Sequence, residues 1–381
     1  MKIQVQNYMV FILCFAFIQN INSQKTIKTT LIHDQLTRSF SFYIPASYTS
    51  GNLSALVFNL HGYSSNADQQ EFYGDFRKIA DTAGFIIVHP NGTIFPQSGQ
   101  QFWNVGLVGN SNVDDVGFLH AIIDTLSTAY SIDENRIFST GMSNGGFMSY
   151  HLACVSDRFA AIASVTGSMT ALTQALCKNA KPIPVMEIHG TADGVVNYDG
   201  STGILSIPDV LDFWIQKNGL NAHAVIKTDV PNVNTTDGAT AEHYYYPGNH
   251  EVEHYKVLNG GHTWPGTPFV IGTTCQDFSA SQVIWNFFNK HKRQTVNSEQ
   301  TDKSTMRLHP NPANEKLHID FKEFSKRPGT IIIRNSVGIP IFEHLIKEDQ
   351  FALDIRWIPS GLYFIQCLSG KNSFYSSFIK I

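Results

Sequence analysis

One serine lies in a sequence pattern typical of nucleophilic catalysis. Residues 141–145 read G-x-S-x-G around Ser143, and no second complete copy of this pattern occurs in the 381-residue chain. The preceding run, Arg136–Thr140, predicts a strand, and Gly145–Cys154 predicts a helix. Glycines permit the tight strand-to-helix turn that presents a serine hydroxyl at a helix N-terminus. The sequence therefore predicts that Ser143 is a nucleophile and not part of an ordinary glycine-rich turn.

A serine nucleophile needs a histidine base, and the base needs an acid that orients it. Around a serine in such a turn, the acid follows the serine along the chain and the histidine follows the acid. Asp193 comes directly after the predicted strand Val185–Ile188, and His262 comes after the predicted strand Glu253–Leu258. The carboxyl ends of strands are where an open parallel sheet forms its ligand site. We expect both residues to act with the serine, and Asp199 is the alternative acid.

The tetrahedral intermediate of acyl transfer also needs NH donors for its oxyanion. One donor commonly belongs to the residue after the nucleophile, and another to the loop after an early strand. Asn144 holds the first position, and Tyr63 follows the predicted strand Ala55–Leu60. We predict an oxyanion hole formed by the backbone NH groups of Tyr63 and Asn144. His61, in the same turn, is predicted to pack or to hydrogen-bond the loop.

Short apolar runs alternate with longer amphipathic runs from Leu53 onward, which indicates the α/β class with a mainly parallel sheet covered on both faces. The earlier stretch Ile27–Ile44 predicts an antiparallel hairpin at the edge of the sheet. The further predicted strands are Phe85–Val88 and Ala160–Val165, and the predicted helices are Glu71–Ala83, Asp114–Tyr130, Pro208–Lys217 and Ser279–Lys290.

Length and charge divide the chain into a large and a small part. A length of 381 residues suggests two domains. Only 15% of the residues are charged and the net charge is -4, which argues against a nucleic-acid binder. The share of charged residues rises after residue 294, where short strand-like runs replace the alternating pattern. We predict a domain over 24–294, a linker over 295–304 and a small all-β sandwich over 305–381.

The N-terminal 23 residues have the layout of a secretory signal peptide. Lys2 precedes the apolar run Tyr8–Ile18, and small Ser23 follows a polar turn. The apolar run is shorter than the ~20 residues that span a bilayer, so no membrane span is expected. The predicted localisation is therefore secreted or at the cell surface.

Export leaves four cysteines in an oxidising compartment. Cys154 and Cys177 are close in sequence and flank elements of one domain, and we predict a disulfide between them. Cys275 and Cys367 are expected to be unpaired. The spacings include no CxxC and no cluster of cysteine and histidine, so neither a metal nor a cofactor is expected.

The sequence resembles the secreted esterase family that groups polyhydroxybutyrate depolymerases with feruloyl and acetylxylan esterases. The resemblance covers about residues 27–291. It rests on five motifs in the family's order: His61-Gly62, Asp114–Leu119, Thr140–Gly146, His189–Asp193 and Gly261–Pro265.

This resemblance implies the α/β-hydrolase fold and a triad of Ser143, Asp193 and His262. It also implies that Trp103-Asn104 and Trp264 line the substrate cleft, and flat aromatic faces suit sugar rings or feruloyl groups. The alternative for the tryptophans is that they are ordinary core residues.

The C-terminal part resembles the sorting domain of the type IX secretion system of Bacteroidota. The likeness rests on Leu308–Pro312, Pro359–Ile365 and the closing Phe378–Ile381. It implies the type IX secretion machinery as a partner. The alternative, a carbohydrate-binding module, predicts exposed aromatic side chains, for which Trp357, Tyr363 and Phe364 are candidates.

Together these features predict a secreted serine carboxylic-ester hydrolase that cleaves feruloyl or acetyl esters of plant polysaccharides through an acyl-enzyme. One alternative is a depolymerase of polyhydroxybutyrate or synthetic polyesters. Others are a non-catalytic surface binding protein and a serine peptidase on the same fold. The expected partner is a polymeric or small ester, with no nucleic acid.

Overall fold

The computed structural model describes residues 25–107, 111–293, 306–311, 313–321, 329–335, 339–346, 348, 350–369 and 372–380. The predicted signal peptide over 1–23 and the predicted linker over 295–304 lie outside these residues. Contacts divide the chain into two compact units, with the division between residues 294 and 295.

The first unit is built on a ten-stranded sheet with flanking helices. Its strands are β1 (Lys25–His33), β2 (Leu36–Ile44), β3 (Ser54–Leu60), β4 (Ile86–Pro90), β5 (Thr93–Phe95), β6 (Gln100–Phe102), β7 (Ile132–Met142), β8 (Ala161–Val165), β9 (Val185–Gly190), β10 (Ile226–Asp229), β11 (Thr240–Tyr246) and β12 (Val252–Leu258). Its helices are α1 (Ala67–Tyr73), α2 (Arg77–Ala83), α3 (Asp115–Ala129), α4 (Asn144–Val155), α5 (Ala171–Leu176), α6 (Ile207–Lys217) and α7 (Ala280–Phe288). Strands β5 and β6 form a separate small hairpin.

The order of the large sheet is β1-β2-β4-β3-β7-β8-β9-β12-β11-β10. The six strands from β4 to β12 in that order pair in parallel, and antiparallel strands extend the sheet at both edges. The predicted hairpin over Ile27–Ile44 is confirmed as β1 and β2, with β1 at one edge. The mainly parallel α/β sheet predicted from the alternating pattern is likewise confirmed.

Both faces of the sheet are covered by helices, which explains why its central strands are buried throughout. Every residue of β3, β4, β8 and β9 is buried. Alternate residues of β3 join different apolar clusters, because neighbouring side chains in a strand point to opposite faces. Leu56 and Phe58 pack with residues of α3, α4 and α6, and Val57 packs with residues of α2 and α7.

Two features of this unit differ from the sequence expectation. The single helix predicted over Glu71–Ala83 is two helices, α1 and α2, separated at Gly74. The Asn59 side chain donates to the Gly74 carbonyl oxygen at 2.9 Å, and the Asp75 side chain accepts from the Arg77 backbone NH at 2.9 Å. These backbone groups on either side of the break therefore have hydrogen-bond partners. Strands β10 and β11 were not predicted, and all four residues of β10 are exposed, so no apolar alternation marks it.

The predicted disulfide is present between Cys154, near the end of α4, and Cys177, just after α5. Cys275 and Cys367 are free and buried, as predicted. The bridge joins positions 23 residues apart and therefore restricts the unfolded chain around α5.

The second unit consists of two antiparallel sheets. Its strands are β13 (Met306–His309), β14 (Lys316–Phe321), β15 (Gly329–Asn335), β16 (Pro340–Ile346), β17 (Gln350–Asp354), β18 (Gly361–Ser369) and β19 (Asn372–Lys380). One sheet has the order β13-β14-β17 and the other has the order β16-β15-β18-β19. Leu317 and Leu353 from the first sheet share one apolar core with Ile331, Ile333 and Ile365 from the second. The predicted small all-β domain is confirmed.

We expect the double substitution Cys154→Ala and Cys177→Ala to lower the free energy of unfolding by about 3 kcal/mol, because a loop of this length loses its constraint in the unfolded state. Denaturant unfolding of both proteins measures the difference. Reductant should destabilise the wild-type protein and leave the double variant unchanged, because the two remaining cysteines are unpaired. Equal stability of the two proteins would contradict the expectation.

Candidate active site

Ser143 lies at the junction of β7 and α4 in a strained backbone conformation. Its φ of 54° and ψ of -120° are unusual for a residue with a side chain. The Ser143 NH donates to the Val165 carbonyl oxygen at the end of β8, and the Ser143 carbonyl oxygen accepts from Phe147 in α4. These contacts fix the sharp turn that the G-x-S-x-G pattern predicts.

Two glycines of this turn are needed for close packing as well as for the turn itself. A Cβ atom on Gly141 would lie 2.5 Å from the Leu60 carbonyl oxygen, and one on Gly145 would overlap the same oxygen. Side chains at these positions would therefore push the first turn of α4 away from the end of β3. The glycines set how closely the serine approaches the neighbouring loop.

His262 and Asp193 form a direct hydrogen bond from neighbouring loops. His262 Nδ1 donates to Asp193 Oδ2 at 2.7 Å. Asp193 Oδ1 accepts from the backbone NH groups of Val195 and Val196 at 2.8 and 2.9 Å. This arrangement holds the imidazole in the tautomer that leaves Nε2 free to accept a proton. Asp199, the alternative acid, is exposed on the same loop.

The environment of Asp193 keeps its carboxylate ionised. Burial by itself would raise the pKa of Asp193, but the hydrogen bond and charge interaction with His262 and the two backbone NH donors outweigh it. The pKa is consequently held below its ordinary value. An ionised acid beside the base is what stabilises an imidazolium formed during catalysis.

Ser143 and His262 line one cavity of about 490 Å³. Its wall is largely apolar and aromatic, and it includes Phe72 and Tyr73 from α1 together with Phe269 and Ile271 from a later loop; Gly62 and Tyr63 also line it. The rings of Phe72 and Phe269 lie close together, with centroids 3.9 Å apart and planes tilted by 31°. Both rings are partly exposed, so the cavity offers an aromatic surface to a ligand.

The two predicted oxyanion donors lie beside the serine. A Cβ atom on Gly62 would be 3.4 Å from Ser143 Cβ, so the turn that carries Tyr63 abuts the serine. Asn144 begins α4, where the first NH groups have no acceptor inside the helix. Its side chain is occupied elsewhere, because Oδ1 accepts from the Trp103 NH at 2.6 Å and Nδ2 donates to the Trp103 carbonyl oxygen at 3.2 Å.

His61 holds the loop, as predicted, and is not placed as a base. Its Nδ1 donates to the Gly62 carbonyl oxygen at 2.7 Å, and its Nε2 accepts from the Gly92 NH at 2.9 Å. Burial lowers the pKa of His61 to about 4, so the ring is neutral at physiological pH. The ring therefore ties the early loop to the loop after β4.

The prediction that Trp103 and Trp264 line the substrate cleft is wrong. Their exposed fractions are 0% and 1%, so neither ring offers a face to a ligand. Trp103 Nε1 donates to the His61 carbonyl oxygen at 3.0 Å, and Trp264 Nε1 donates to Ser281 Oγ at 3.1 Å. The side chain of Asn104 donates to two backbone carbonyl oxygens of the following loop at 3.0 Å. All three side chains support the loops around the site.

The aromatic residues that do line the cavity were not predicted. Phe72 belongs to α1 and Phe269 to a loop nearly two hundred positions later, so no sequence motif contains both. Phe269 follows the Gly261–Pro265 motif in sequence, which is the only local sign that its loop approaches His262.

One group of possible metal ligands lies among the described residues of this unit. Ligand atoms of Asp237, Cys275 and Asp277 come within 4.8 Å of one another. Both carboxylates already accept hydrogen bonds from backbone NH groups at 2.7 to 2.9 Å, so they are explained as residues that connect loops.

In the described part of the chain, no helix is both long and apolar enough to cross a membrane.

Comparison with known proteins identifies the class of the first unit. Residues 75–200 match the family model described as the prolyl oligopeptidase family. The acetyl xylan esterase from Aspergillus awamori superposes with a TM-score of 0.50 over 69% of this chain and 99% of its own, at 15% identity. With the mainly parallel sheet and the serine turn, this likeness identifies the α/β-hydrolase fold.

Relatives in sequence are named as esterases. The chain is 28% identical over 182 residues to the bifunctional acetylxylan esterase/xylanase XynS20E of Neocallimastix patriciarum, and 28% identical over 223 residues to feruloyl esterase B of Piromyces equi. These matches cover 48% and 57% of this chain but only 25% and 41% of the two relatives. Probable feruloyl esterase C of Aspergillus niger is 27% identical over 266 residues, 68% of this chain and 86% of the relative.

The second unit also matches a known family. Residues 307–381 fit the model described as the secretion system C-terminal sorting domain. This match confirms the predicted sorting domain and favours it over a carbohydrate-binding module. Of the three aromatic candidates for such a module, Tyr363 is buried and donates to the Pro359 carbonyl oxygen at 2.8 Å, whereas Trp357 and Phe364 are exposed. The chain is therefore secreted or held at the cell surface.

We expect Gly145→Ala to lower the free energy of unfolding by about 1–3 kcal/mol, because the added methyl group overlaps the Leu60 carbonyl oxygen. Gly194→Ala is the matched control, since an added Cβ there meets no atom within 4 Å. The control should change stability by no more than about 0.5 kcal/mol. Thermal or denaturant unfolding measures both, and equal stability of the two variants would refute the packing argument.

Proposed function

We propose that the protein is a serine carboxylic-ester hydrolase that cleaves feruloyl or acetyl esters of plant polysaccharides. The observation that carries this proposal is the hydrogen bond between His262 and Asp193 at one cavity with Ser143. The relatives named as feruloyl and acetylxylan esterases support the substrate class. The sorting domain places such an enzyme outside the cell, where polysaccharides occur, and the type IX machinery is its proposed partner in export.

The proposed reaction proceeds through an acyl-enzyme. His262 Nε2 takes the proton of the Ser143 hydroxyl as the oxygen attacks the ester carbonyl carbon. The negative charge that develops on the carbonyl oxygen is held by the backbone NH groups of Tyr63 and Asn144. The imidazolium, stabilised by Asp193, then gives its proton to the departing alcohol. A water molecule, activated by the same imidazole, attacks the acyl-enzyme and releases the acid and the serine.

The cavity wall favours an aromatic acyl group over acetyl. A volume of about 490 Å³ is much larger than an acetyl group needs, and the Phe72 and Phe269 rings are placed to stack on a planar acyl group. An apolar wall with few polar groups also suits a hydroxyalkanoate or synthetic polyester, which is the second candidate. Feruloyl esters are therefore the first substrate to test.

Ser143→Ala is expected to lower kcat on methyl ferulate by about 10⁴-fold or more, because the variant has no nucleophile. The initial rate of ferulate release measures the effect. Circular dichroism and the unfolding midpoint of the variant should match those of the wild-type protein, which separates loss of chemistry from loss of structure.

Substrate profiling of the wild-type protein decides between the candidate functions. Cleavage of methyl ferulate or acetylated xylan supports the proposal, and cleavage of polyhydroxybutyrate alone supports the depolymerase. Hydrolysis of peptide substrates alone would indicate a serine peptidase. Hydrolysis retained in Ser143→Ala, or a wild-type protein that binds esters without turnover, would overturn the assignment of the nucleophile.

Phe269→Ala is expected to lower kcat/KM on methyl ferulate about tenfold, which corresponds to about 1.4 kcal/mol, because the stacking face of the cavity is lost. Activity on p-nitrophenyl acetate should change little, since an acetyl group has no ring to stack on Phe269. Val270→Ala is the matched control, because Val270 is 61% exposed and does not line the cavity. Equal losses on both esters would refute a role of Phe269 in acyl selection.

A further inference from the structure

Two further ionisable side chains lie directly behind Asp193. Glu187 and His189 are alternate residues of β9, so they project from the same face of the strand. The side chains of Glu187, His189 and Asp193 each have an exposed fraction of 0%. The mechanism proposed above uses only Asp193 of these three groups. A buried carboxylate and a buried imidazole beside the triad acid therefore need an explanation.

Both ring nitrogens of His189 face hydrogen-bond acceptors. Nδ1 lies 2.9 Å from Glu187 Oε1, and Nε2 lies 2.8 Å from the Val196 carbonyl oxygen. Nε2 also lies 3.4 Å from Asp193 Oδ2, the oxygen that accepts from His262. A neutral imidazole donates from one nitrogen only, so it could serve both contacts only if Glu187 carried a proton of its own. A ring that donates from both nitrogens serves both contacts with Glu187 as an ionised carboxylate, whose Oε2 also accepts from Tyr150 OH.

We infer that His189 is a constitutive imidazolium, paired with Glu187, whose fixed positive charge next to Asp193 extends the activity of His262 as a base to lower pH. His189 and Glu187 are positioning residues in this arrangement, because neither touches the substrate. The inference rests on the proposed function for its effect on catalysis, whereas the protonation of His189 does not depend on it.

Glu187 is held on its other side as well. Its Oε2 accepts from Tyr150 OH of α4 at 2.7 Å. The Glu187 carbonyl oxygen accepts from His254 Nδ1 of β12 at 3.0 Å, and Tyr198 OH donates to His254 Nε2 at 3.1 Å. The carboxylate is therefore fixed with one oxygen towards His189.

Among the remaining groups around this pair, Asp193 supplies a second negative charge close to His189, with its Oδ2 3.4 Å from Nε2. Burial lowers the pKa of His254 to about 3, so this ring is neutral. The Lys256 ammonium lies 5.3 Å from the centroid of the Tyr198 ring. The titratable or charged groups that face the pair from its own strand and from packed elements are Tyr150, Asp193, Tyr198, Asp199, His243, Tyr244, Tyr246, His254, Lys256 and His262.

Burial raises the pKa of Glu187 above its ordinary value, although the hydrogen bond and charge of His189 and the hydrogen bond from Tyr150 oppose this rise. Burial opposes the charged form of His189, but the hydrogen bond and the charge of Glu187 outweigh it, with smaller contributions from the Val196 carbonyl and from Asp193. The pKa of His189 is consequently raised above its ordinary value. Because its folded-state pKa is raised, His189 stabilises the fold below its unfolded pKa, and this stabilisation is lost as the pH rises through the folded pKa.

The effect on His262 follows from the orientation of the pair, which is neutral as a whole: the His189 ring faces Asp193, and Glu187 lies on the other side of that ring. Asp193 alone attracts a proton to His262, which favours the imidazolium and reduces the fraction of free base at low pH. A second positive charge next to Asp193 opposes this attraction. The imidazole of His262 then stays unprotonated, and able to accept the serine proton, at a lower pH than it would without His189.

The protonation of His189 is tested directly by NMR on the wild-type protein with ¹⁵N-labelled histidine. At a pH of about 8, well above the ordinary histidine pKa of about 6.5, both His189 ring nitrogens are expected to carry a proton. The His189 signals among the 15 histidines are assigned by their loss in His189→Gln. A Nδ1 that lacks its proton, or a proton that resides on Glu187, would overturn the inference.

Glu187→Gln tests the effect on catalysis, since it keeps the shape of the side chain and removes the counter-charge that holds His189 protonated. The acid limb of kcat/KM for methyl ferulate is expected to move up by about half a pH unit, because the variant loses an ion pair whose positive member is nearer the base. Tyr150→Phe is the matched control, because it removes a hydrogen bond to Glu187 and leaves the charge. Its acid limb should not move.

The outcomes separate this inference from the proposed function. A purely structural role of Glu187 would lower kcat or the unfolding midpoint without moving the acid limb, and this result would overturn the inference. If Glu187→Gln does not fold, the NMR measurement on the wild-type protein still decides the protonation of His189. If Ser143→Ala hydrolyses the ester as well as the wild-type protein, the proposed function fails whatever the NMR result.

Discussion

The structure of the first unit depends on the close approach of the first turn of α4 to the carboxyl end of β3. Gly145 lies against the Leu60 carbonyl oxygen, and Ser143, two residues before it, has a positive φ. A conformation of this kind costs about 1–3 kcal/mol and persists only where the surroundings determine it completely. The fully buried central strands supply that rigidity. The same approach brings the loop with Tyr63 and the start of α4 to either side of the serine hydroxyl.

The protein has few charged residues, and several of them are buried together around Asp193. Asp193 is satisfied by one imidazole and two backbone NH groups, and behind it Glu187 and His189 form a buried pair. A buried charge without a partner is costly, so each of these groups has a hydrogen-bonded neighbour. The arrangement concentrates charge on the protein side of the site. The cavity side is apolar, which suits the uncharged ester proposed as substrate.

Much of the first unit could be predicted because its signals are local. The apolar runs of the central strands and the glycines around Ser143 lie in short, continuous stretches, and burial on both faces demands such runs. The predictions from sequence were wrong where contacts with distant segments of the chain determine the local structure. Gly74 divides a predicted helix because Asn59 of β3 binds its carbonyl group. Trp103 and Trp264 have the residue type of a sugar-stacking platform, but other segments cover both of their faces and remove them from the cleft.

The sequence by itself determined the alternating architecture, the disulfide between Cys154 and Cys177, the sorting domain, and the three residues proposed as the triad. Each of these depends on residue types and order along the chain. Only the tertiary structure decided which aromatic rings line the cavity and that His189 lies between two carboxylates. The physical reason is that solvent exposure and protonation depend on atoms brought together through space. Phe72 and Phe269 meet only because the folded sheet places their segments side by side.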